Sequence, residues 1–210
     1  MKILFLGPPG AGKGTQSQII ANKLNISHLS TGDLLRQAVI QQSTLGIQVQ
    51  EKLNQGKLVP DTLIAKLVID KIKNMHSFIL DGFPRNLTQA QVLKQHNINF
   101  DYVFTLSLQD NIIIERLSNR RIHLPSGRCY NLLSNPPKIK NLDDITQEPL
   151  TQRKDDKIEI IKDRLQIYHQ ETTPVIDFYK KIITTKYIEL NASKQISIIT
   201  QQIDDVLNNA

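Results

Sequence analysis

The chain has 210 residues, 40% hydrophobic and 22% charged, a composition that suits one substantial α/β core with room for one or two small insertions. No apolar run approaches the ~18 residues of a membrane-crossing helix, the apolar stretch after Met1-Lys2 is too short for a secretory signal, and the single cysteine, Cys129, rules out an intrachain disulfide framework, so the expected setting is a reducing cytoplasm. The formal charge of +6 raises nucleic acid as a partner, but the 18 lysines are scattered and the eight arginines (36, 85, 116, 120, 121, 128, 153 and 164) offer planar forks, which suits small polyanionic ligands better than a duplex.

In chain order, Ile3-Leu4-Phe5-Leu6 predicts a buried parallel strand. GPPGAGKGTQ follows (Gly7 to Gln16), and then a helical pattern with Ile19, Ile20 and Leu24. Strand, glycine-rich turn and helix are the context that gives a phosphate-binding loop meaning. Glycines let backbone N–H groups approach an anion, and the helix start favours negative charge. The spacing Gly7…Gly12-Lys13 fits the nucleoside-triphosphate loop with one departure, since Gly14 and not a hydroxyl residue follows the lysine. Switch GTPases use that hydroxyl for magnesium, so Gly14 argues against one.

Further on, Ile26–Ser30 reads as a strand and Leu34–Ile40 as a helix opened by Thr31-Gly32-Asp33. Leu45–Leu53 is a helix stopped at Gln55-Gly56, and Asp61 is expected to cap the helix carrying Ile64, Leu67, Val68 and Ile72. Phe78–Asp81 is a second buried strand, and its terminal carboxylate falls where ligands bind in doubly wound sheets. A helix from Leu87 to Gln95, a strand from Tyr102 to Leu106 and a helix from Asp110 to about Arg121 come next. A long helix from about Asp155 to Lys181, bent near Pro174, precedes the last strand, Lys186–Leu190, and a helix after Ser193. Strands alternating with helices imply a doubly wound parallel sheet. Residues 122–154 break the rhythm with five prolines or glycines and no helical period, and read as a small β-rich flap.

The phosphate loop, STGDLLR (30–36), GKLVPD (56–61), LDGFPRN (80–86), RRIHLPSGR (120–128) and TQRKDD (151–156) together resemble adenylate kinase, in its bacterial long form. The resemblance implies a P-loop core with a five-stranded parallel sheet, a helical AMP-binding insertion at 30–59 and a lid at 119–156. It implies reversible transfer, MgATP plus AMP giving two ADP, by a monomer without nucleic-acid or membrane partners. Carried onto this chain, it assigns Gly10, Ala11, Gly12, Lys13, Gly14 and Thr15 to the ATP phosphates, with Arg120, Cys129, Tyr130 and the Lys194 carbonyl toward the rest of ATP. Thr31, Arg36, Lys57, Leu58, Val59, Gly82, Phe83, Pro84, Arg85 and Gln89 face AMP, with Gln89 reading the adenine edge. Arg85, Arg116, Arg120, Arg153 and Arg164 join Lys13 on the phosphates being transferred, Arg153 and Arg164 also facing AMP. Asp81 holds magnesium through water, and Asp155 and Asp156 organise the arginines. Asn191-Ala192-Ser193 departs from the family's Asp-Gly-Thr, which makes the Lys194 contact the weakest of these.

Zinc-bearing relatives clip the lid with Cys-x₂-Cys…Cys-x₂-Cys; here the same spacing carries His123-x₂-Ser126…Asp143-x₂-Thr146. Hydroxyls are poor zinc ligands, so a hydrogen-bonded polar cluster without zinc is expected. Cys129 beside Arg128 reads either as a reactive thiol on the ATP side or as a small filler of the flap. Asp33 is either a helix-start residue or part of the site, and Asp110 reads as a cap. His28, His76, His96 and His169 show no carboxylate pattern and read as surface or packing residues; Asp204-Asp205 reads as a solvated face, and Tyr168 and Tyr179 as helix packing. A kinase for another nucleoside monophosphate and an ATP-dependent nucleic-acid binder are the competing functions.

Overall fold

Alternation along the central strands sets the two layers of the molecule. In β1 (Lys2–Leu6), Leu4 and Leu6 turn to one face, packing with Leu80 and Val103 in a cluster that includes Phe83 and Leu93. Ile3 and Phe5 turn to the other, packing with Ile79, Phe104 and Leu106. Successive side chains in a strand point to opposite faces, so a strand covered on both sides is apolar throughout. Phe5 and Phe104 are fully buried and stack with ring centroids 5.4 Å apart. Each such side chain contributes roughly 1.5–3 kcal/mol by leaving water.

The computed structural model describes residues 1–209. β1 is followed by α1 (Lys13–Leu24), β2 (Ser27–Ser30), α2 (Thr31–Ile40), α3 (Thr44–Asn54), α4 (Asp61–Ile72), β3 (Phe78–Asp81), α5 (Leu87–Gln95) and β4 (Tyr102–Ser107). Then come α6 (Asp110–Ser118), β5 (Arg120–Ile122), β6 (Cys129–Asn131), α7 (Ile158–Ile167), a π-helical turn (Tyr168–Thr172), α8 (Thr173–Lys180), β7 (Lys186–Asn191) and α9 (Ile196–Asn208). β2, β3, β1, β4 and β7 form, in that order, one five-stranded parallel sheet. The chain leaves β1 toward β2, returns to β3, then crosses to β4, so the order reverses around the carboxyl end of β1. Ligand crevices of doubly wound sheets open at such a point.

The irregular stretch is a flap in which β5 and β6 pair antiparallel, with single bridges between Ile122 and Thr151 and between Leu142 and Pro149. Several local expectations are corrected. α6 stops at Ser118, because Arg120 and Arg121 belong to β5. Asp61 is the first helical residue of α4 and not its cap; its carboxylate turns back to accept from Asn86 Nδ2 at 3.0 Å and Gln89 Nε2 at 2.7 Å. Asp110 likewise caps nothing, and faces His169 Nε2 at 3.0 Å, so His169 does have a carboxylate partner. Asp204 is tied to Lys23 at 2.5 Å and joins α9 to α1. The long helix is three pieces: α7 starts at Ile158, and the π turn lies just before Pro174, whose ring cannot donate to the preceding turn. No helix among the described residues is long and apolar enough to cross a membrane.

Candidate active site

The loop after β1 requires glycine at its first residue. Gly7 has φ +136°, and a Cβ there would lie 2.4 Å from the Leu106 carbonyl oxygen of β4. Gly12, at φ 94°, opens α1 without any side-chain cap, so the first N–H groups of the helix stay available to an anion. Lys13 folds over the loop, and its Nζ donates to the carbonyls of Gly7 and Pro8, both at 2.8 Å. Burial, opposed by Asp81 and reinforced by Arg85, Arg164 and Arg120, pushes the lysine pKa down to about 8.

A cleft of about 1930 Å³ opens over this loop, and Gly10 to Thr15, Arg36, Asp81, Pro84, Arg85, Arg116, Arg120, Cys129, Tyr130, Arg153, Arg164 and Lys194 line it. A smaller cavity of about 30 Å³ adjoins it, lined by Thr31, Lys57, Leu58, Val59, Gly82, Phe83, Arg85 and Gln89 among others. Every expected site residue thus lines one of two adjoining spaces, and Arg85 borders both.

The arginines differ in how far acids neutralise them. Arg85 is anchored by its own loop: Nε donates to the Gly82 carbonyl, the backbone N–H to Gln89 Oε1, and the Arg85 carbonyl accepts from Thr172 Oγ1, each at 2.7 Å. It has no carboxylate within ion-pair reach among the described residues, and burial, reinforced by Arg164, pushes its pKa down to about 10. Arg153 is also pushed down to about 10, by burial and then by Arg120; its nearest acid is Asp33 at 3.6 Å, and its Nε is buried without a hydrogen-bond partner. Arg120 forks onto Asp156 at 2.8 and 2.6 Å, and this pairing outweighs burial and holds its pKa above the ordinary value. Arg164 Nη1 lies 2.9 Å from Asp155 Oδ2 and 3.5 Å from Asp156 Oδ1, yet burial still lowers its pKa. Burial also lowers Arg116, at the cleft wall.

Sequence reasoning left one contributor, Asp33, open and missed two, His28 and Thr172. Asp33 binds Arg36 at 2.5 Å and reaches Arg153, so it is part of the site; the i, i+3 spacing from Arg36 was the available signal. His28 is no mere packing residue, since its Nε2 lies 3.9 Å from Asp81 Oδ2, and burial lowers its pKa. Thr172 reaches Arg85 from 87 residues away, beyond any sequence pattern.

Other side chains are placed differently from the simplest expectation. Tyr130 is buried in the flap, its hydroxyl donating to Asp143 Oδ1 and accepting from the Asp144 N–H, both at 2.9 Å. Arg128 forks onto Asp143 at 2.8 and 2.6 Å and is not free to act on Cys129, whose Sγ instead lies 3.5 Å from the Gly127 carbonyl oxygen. Cys129 is exposed, which removes the filler alternative. In the same flap His123 Nδ1 meets Ser126 Oγ at 2.7 Å, and Thr146 Oγ1 donates to Asp143 Oδ2 at 3.1 Å. Glu148 joins them at 2.6 Å from His123 Nε2. These positions form a polar cluster, and no group of three metal-ligating side chains occurs among the described residues.

A glycine loop at the switch point of a parallel sheet, with a buried lysine and incompletely neutralised arginines around one cleft, defines a P-loop phosphotransferase for small phosphorylated ligands. A protein-family model described as adenylate kinase matches residues 5–184. The chain is 44% identical over 216 residues to an adenylate kinase of Francisella tularensis subsp. novicida, covering 99% of each chain. It is also 44% identical over 214 residues to one of Photorhabdus laumondii, covering 99% of this chain and 100% of that one. The chain belongs to the adenylate kinase family.

Proposed function

We propose that the cleft carries out ATP + AMP = 2 ADP, with ATP on the loop from Gly10 to Thr15 and AMP across Arg85, its base end at the smaller cavity and its phosphate in the main cleft. The carrying observation is Arg85, which borders both cavities, is anchored three times through its loop, and has no acid partner of its own among the described residues. A buried guanidinium in that position is completed by an anion shared between the two nucleotides.

In this reading residues 30–59 form the AMP-binding insertion and 119–156 the lid. Thr31 and the backbone of Lys57 to Val59 line the AMP base, with Gly82, Phe83 and Pro84 beside it. Arg36 and Arg85 take the AMP phosphate. Gln89 spends one lone pair on the Arg85 N–H and one N–H on Asp61, which leaves one acceptor and one donor for the adenine edge. Arg120, Cys129, the Tyr130 backbone and the Lys194 carbonyl cover ATP. Lys13, Arg116, Arg153 and Arg164 surround the group in transfer. No side chain attacks covalently; the AMP phosphate oxygen displaces ADP in line, and preorganised cations neutralise the charge on the transferring oxygens. Asp155 and Asp156 hold Arg120 and Arg164 in place for that task. Closing the lid excludes water that would compete with AMP; an adenylate kinase lid is itself a standard example of such gating.

Magnesium fits as part of the MgATP substrate. Gly14 has no side chain, and a Cβ there would sit 3.5 Å from Asp81 Oδ2, so the carboxylate lies against the phosphate loop in the cleft wall. Carboxylate and hydroxyl oxygens, here Asp81 and Thr15, match a hard ion that keeps most of its water. Bound there, magnesium neutralises phosphate charge. The protein acts as a cytoplasmic monomer without zinc, nucleic acid or membrane, a reading supported by the scattered lysines and the single cysteine. A coupled assay tests the function: ADP forms from ATP and AMP when magnesium is present, and far more slowly from GMP, CMP or UMP. Equal use of another monophosphate, or no ADP at all, overturns it.

A further inference from the structure

His28 stands on β2 opposite Ile79 of β3, two residues before Asp81, with its side chain 11% exposed. Its two ring nitrogens have different surroundings. Nδ1 lies 3.4 Å from Gln18 Oε1, and Gln18 turns its Nε2 to Asn22 Oδ1 at 2.9 Å, so an oxygen is what Gln18 offers the ring. An amide oxygen only accepts, so this contact favours the tautomer with the imidazole proton on Nδ1 and Nε2 an acceptor. That Nε2 is buried and has no hydrogen-bond partner. The atom it faces, Asp81 Oδ2 at 3.9 Å, is an acceptor too. Lys13 from α1, Asp33 from α2 and Arg85 from the loop after β3 are the other charged groups near this pair; the Lys13 donors are turned to Gly7 and Pro8, and Arg85 Nε to Gly82.

Two buried acceptors facing each other are unfavourable until something donates to both. The gap is too long for a direct hydrogen bond. It is close to the roughly 4.4 Å spanned when one water gives a hydrogen to each of two acceptors at about 2.8 Å. We propose that His28 is a positioning residue for MgATP: Nε2 and Asp81 Oδ2 jointly accept from one water of the hydrated magnesium ion that arrives with ATP. Asp81 alone fixes that water by one hydrogen and leaves it free to swing; a second acceptor fixes its orientation. His28 thus favours MgATP over free ATP without touching either nucleotide. The inference rests on the placement of MgATP beside Asp81.

The first test needs no variant. Long-range proton–nitrogen NMR of the free enzyme above pH 7.5, a range chosen roughly one unit above the ordinary histidine pKa, should show the His28 proton on Nδ1. Adding magnesium with a non-hydrolysable ATP analogue should shift Nε2 in the direction of an accepted hydrogen bond, and the analogue without metal should not. A proton on Nε2 in the free enzyme, or the same shift without metal, overturns the proposal. The second test titrates Mn²⁺ by electron paramagnetic resonance into the complex with the same analogue. His28→Leu should weaken Mn²⁺ about tenfold, the effect of one hydrogen bond to a charged assembly. Metal-free binding of the analogue should stay within about twofold, and His28→Gln, which keeps an acceptor, should recover most of the loss. Unchanged Mn²⁺ affinity in His28→Leu, a matching loss of metal-free binding, or no recovery in His28→Gln overturns it. Asp81→Asn separates the two readings. If it weakens Mn²⁺ and His28→Leu does not, only this inference fails; if neither does, the magnesium placement fails with it.

Discussion

The lid and the cleft both hold arginines, half-exposed in the one and buried in the other, and they treat them in opposite ways. In the lid, Arg128 is paired by both arms to Asp143, and that carboxylate also accepts from Tyr130, Thr146 and the N–H groups of Ile145 and Thr146. The bond to Arg128, ahead of the others, holds Asp143 well below the usual carboxylate range, and the same bond raises Arg128. In the cleft, Lys13, Arg85 and Arg153 are pushed down, to about 8, 10 and 10, because burial and neighbouring cations outweigh the acids present. Raised cations mark charge already spent on the protein's own structure. Lowered ones mark charge held for an incoming anion. Arg120, fully paired to Asp156 but lining the cleft, sits between the two behaviours and links them.

The contrast is broken most severely at Lys13. Lys13→Met should cut transfer about 10²–10³-fold or more, the usual effect of removing one preorganised positive group. Circular dichroism should show an intact fold, since the lysine's bonds are to its own loop. Activity within tenfold of the parent would contradict the assignment. At Arg85, Lys keeps the charge and loses the fork, so AMP binding measured by calorimetry should weaken roughly 10–100-fold, with ATP binding nearly unchanged. Equal losses for both nucleotides would count against the placement.

In the lid the expected effect is on stability. Asp143→Asn should lower the melting temperature by several degrees and leave turnover at low temperature close to normal. Because Asp143 is depressed in the folded protein, its contribution is complete above the unfolded carboxyl pKa of about 3.9 and is lost as pH falls below it. Arg128, its ion-pair partner, is positive throughout this range, and Glu148, which meets the cluster through His123, is present in parent and variant alike. Calorimetry below about pH 4 should therefore show a steeper loss of stability in the parent than in Asp143→Asn. The smallest effect concerns Cys129, exposed at the cleft. A bulky maleimide should label it in the free protein; ATP should slow labelling several-fold and AMP alone should not. Equal protection by AMP would move the thiol out of the ATP side.

The phosphate loop, the order of strands and helices, and the identity of the clustered arginines were legible in the sequence because each is a local pattern: apolar runs, glycine spacing, short motifs. What was not legible depends on pairs distant in the chain. Asp61 looked like a cap because acids commonly start helices, but Asn86 and Gln89, 25 and 28 residues on, claim its carboxylate. Asp110 and His169 are 59 residues apart, and Arg128 was read beside its neighbour Cys129 when its partner is Asp143. A lone carboxylate in a sequence shows its secondary-structure propensity; its tertiary partner emerges only on folding.

The π-helical turn at Tyr168–Thr172 also sets a rotational phase. α7 turns Ile161 and Leu165 to Ile113 and Leu117, while α8 turns Val175 and Tyr179 to the main core. An α-helix advances about 100° per residue, so the wider turn offsets the second half by nearly one residue's rotation. Deleting Gln170 from this turn would leave the net charge and apolar content unchanged. It would nonetheless rotate one helix half against the other, turning either Arg164 out of the cleft or Tyr179 out of the core, and it would withdraw Thr172 from the Arg85 carbonyl. Length at these five positions is thus constrained more tightly than the identity of most of their side chains.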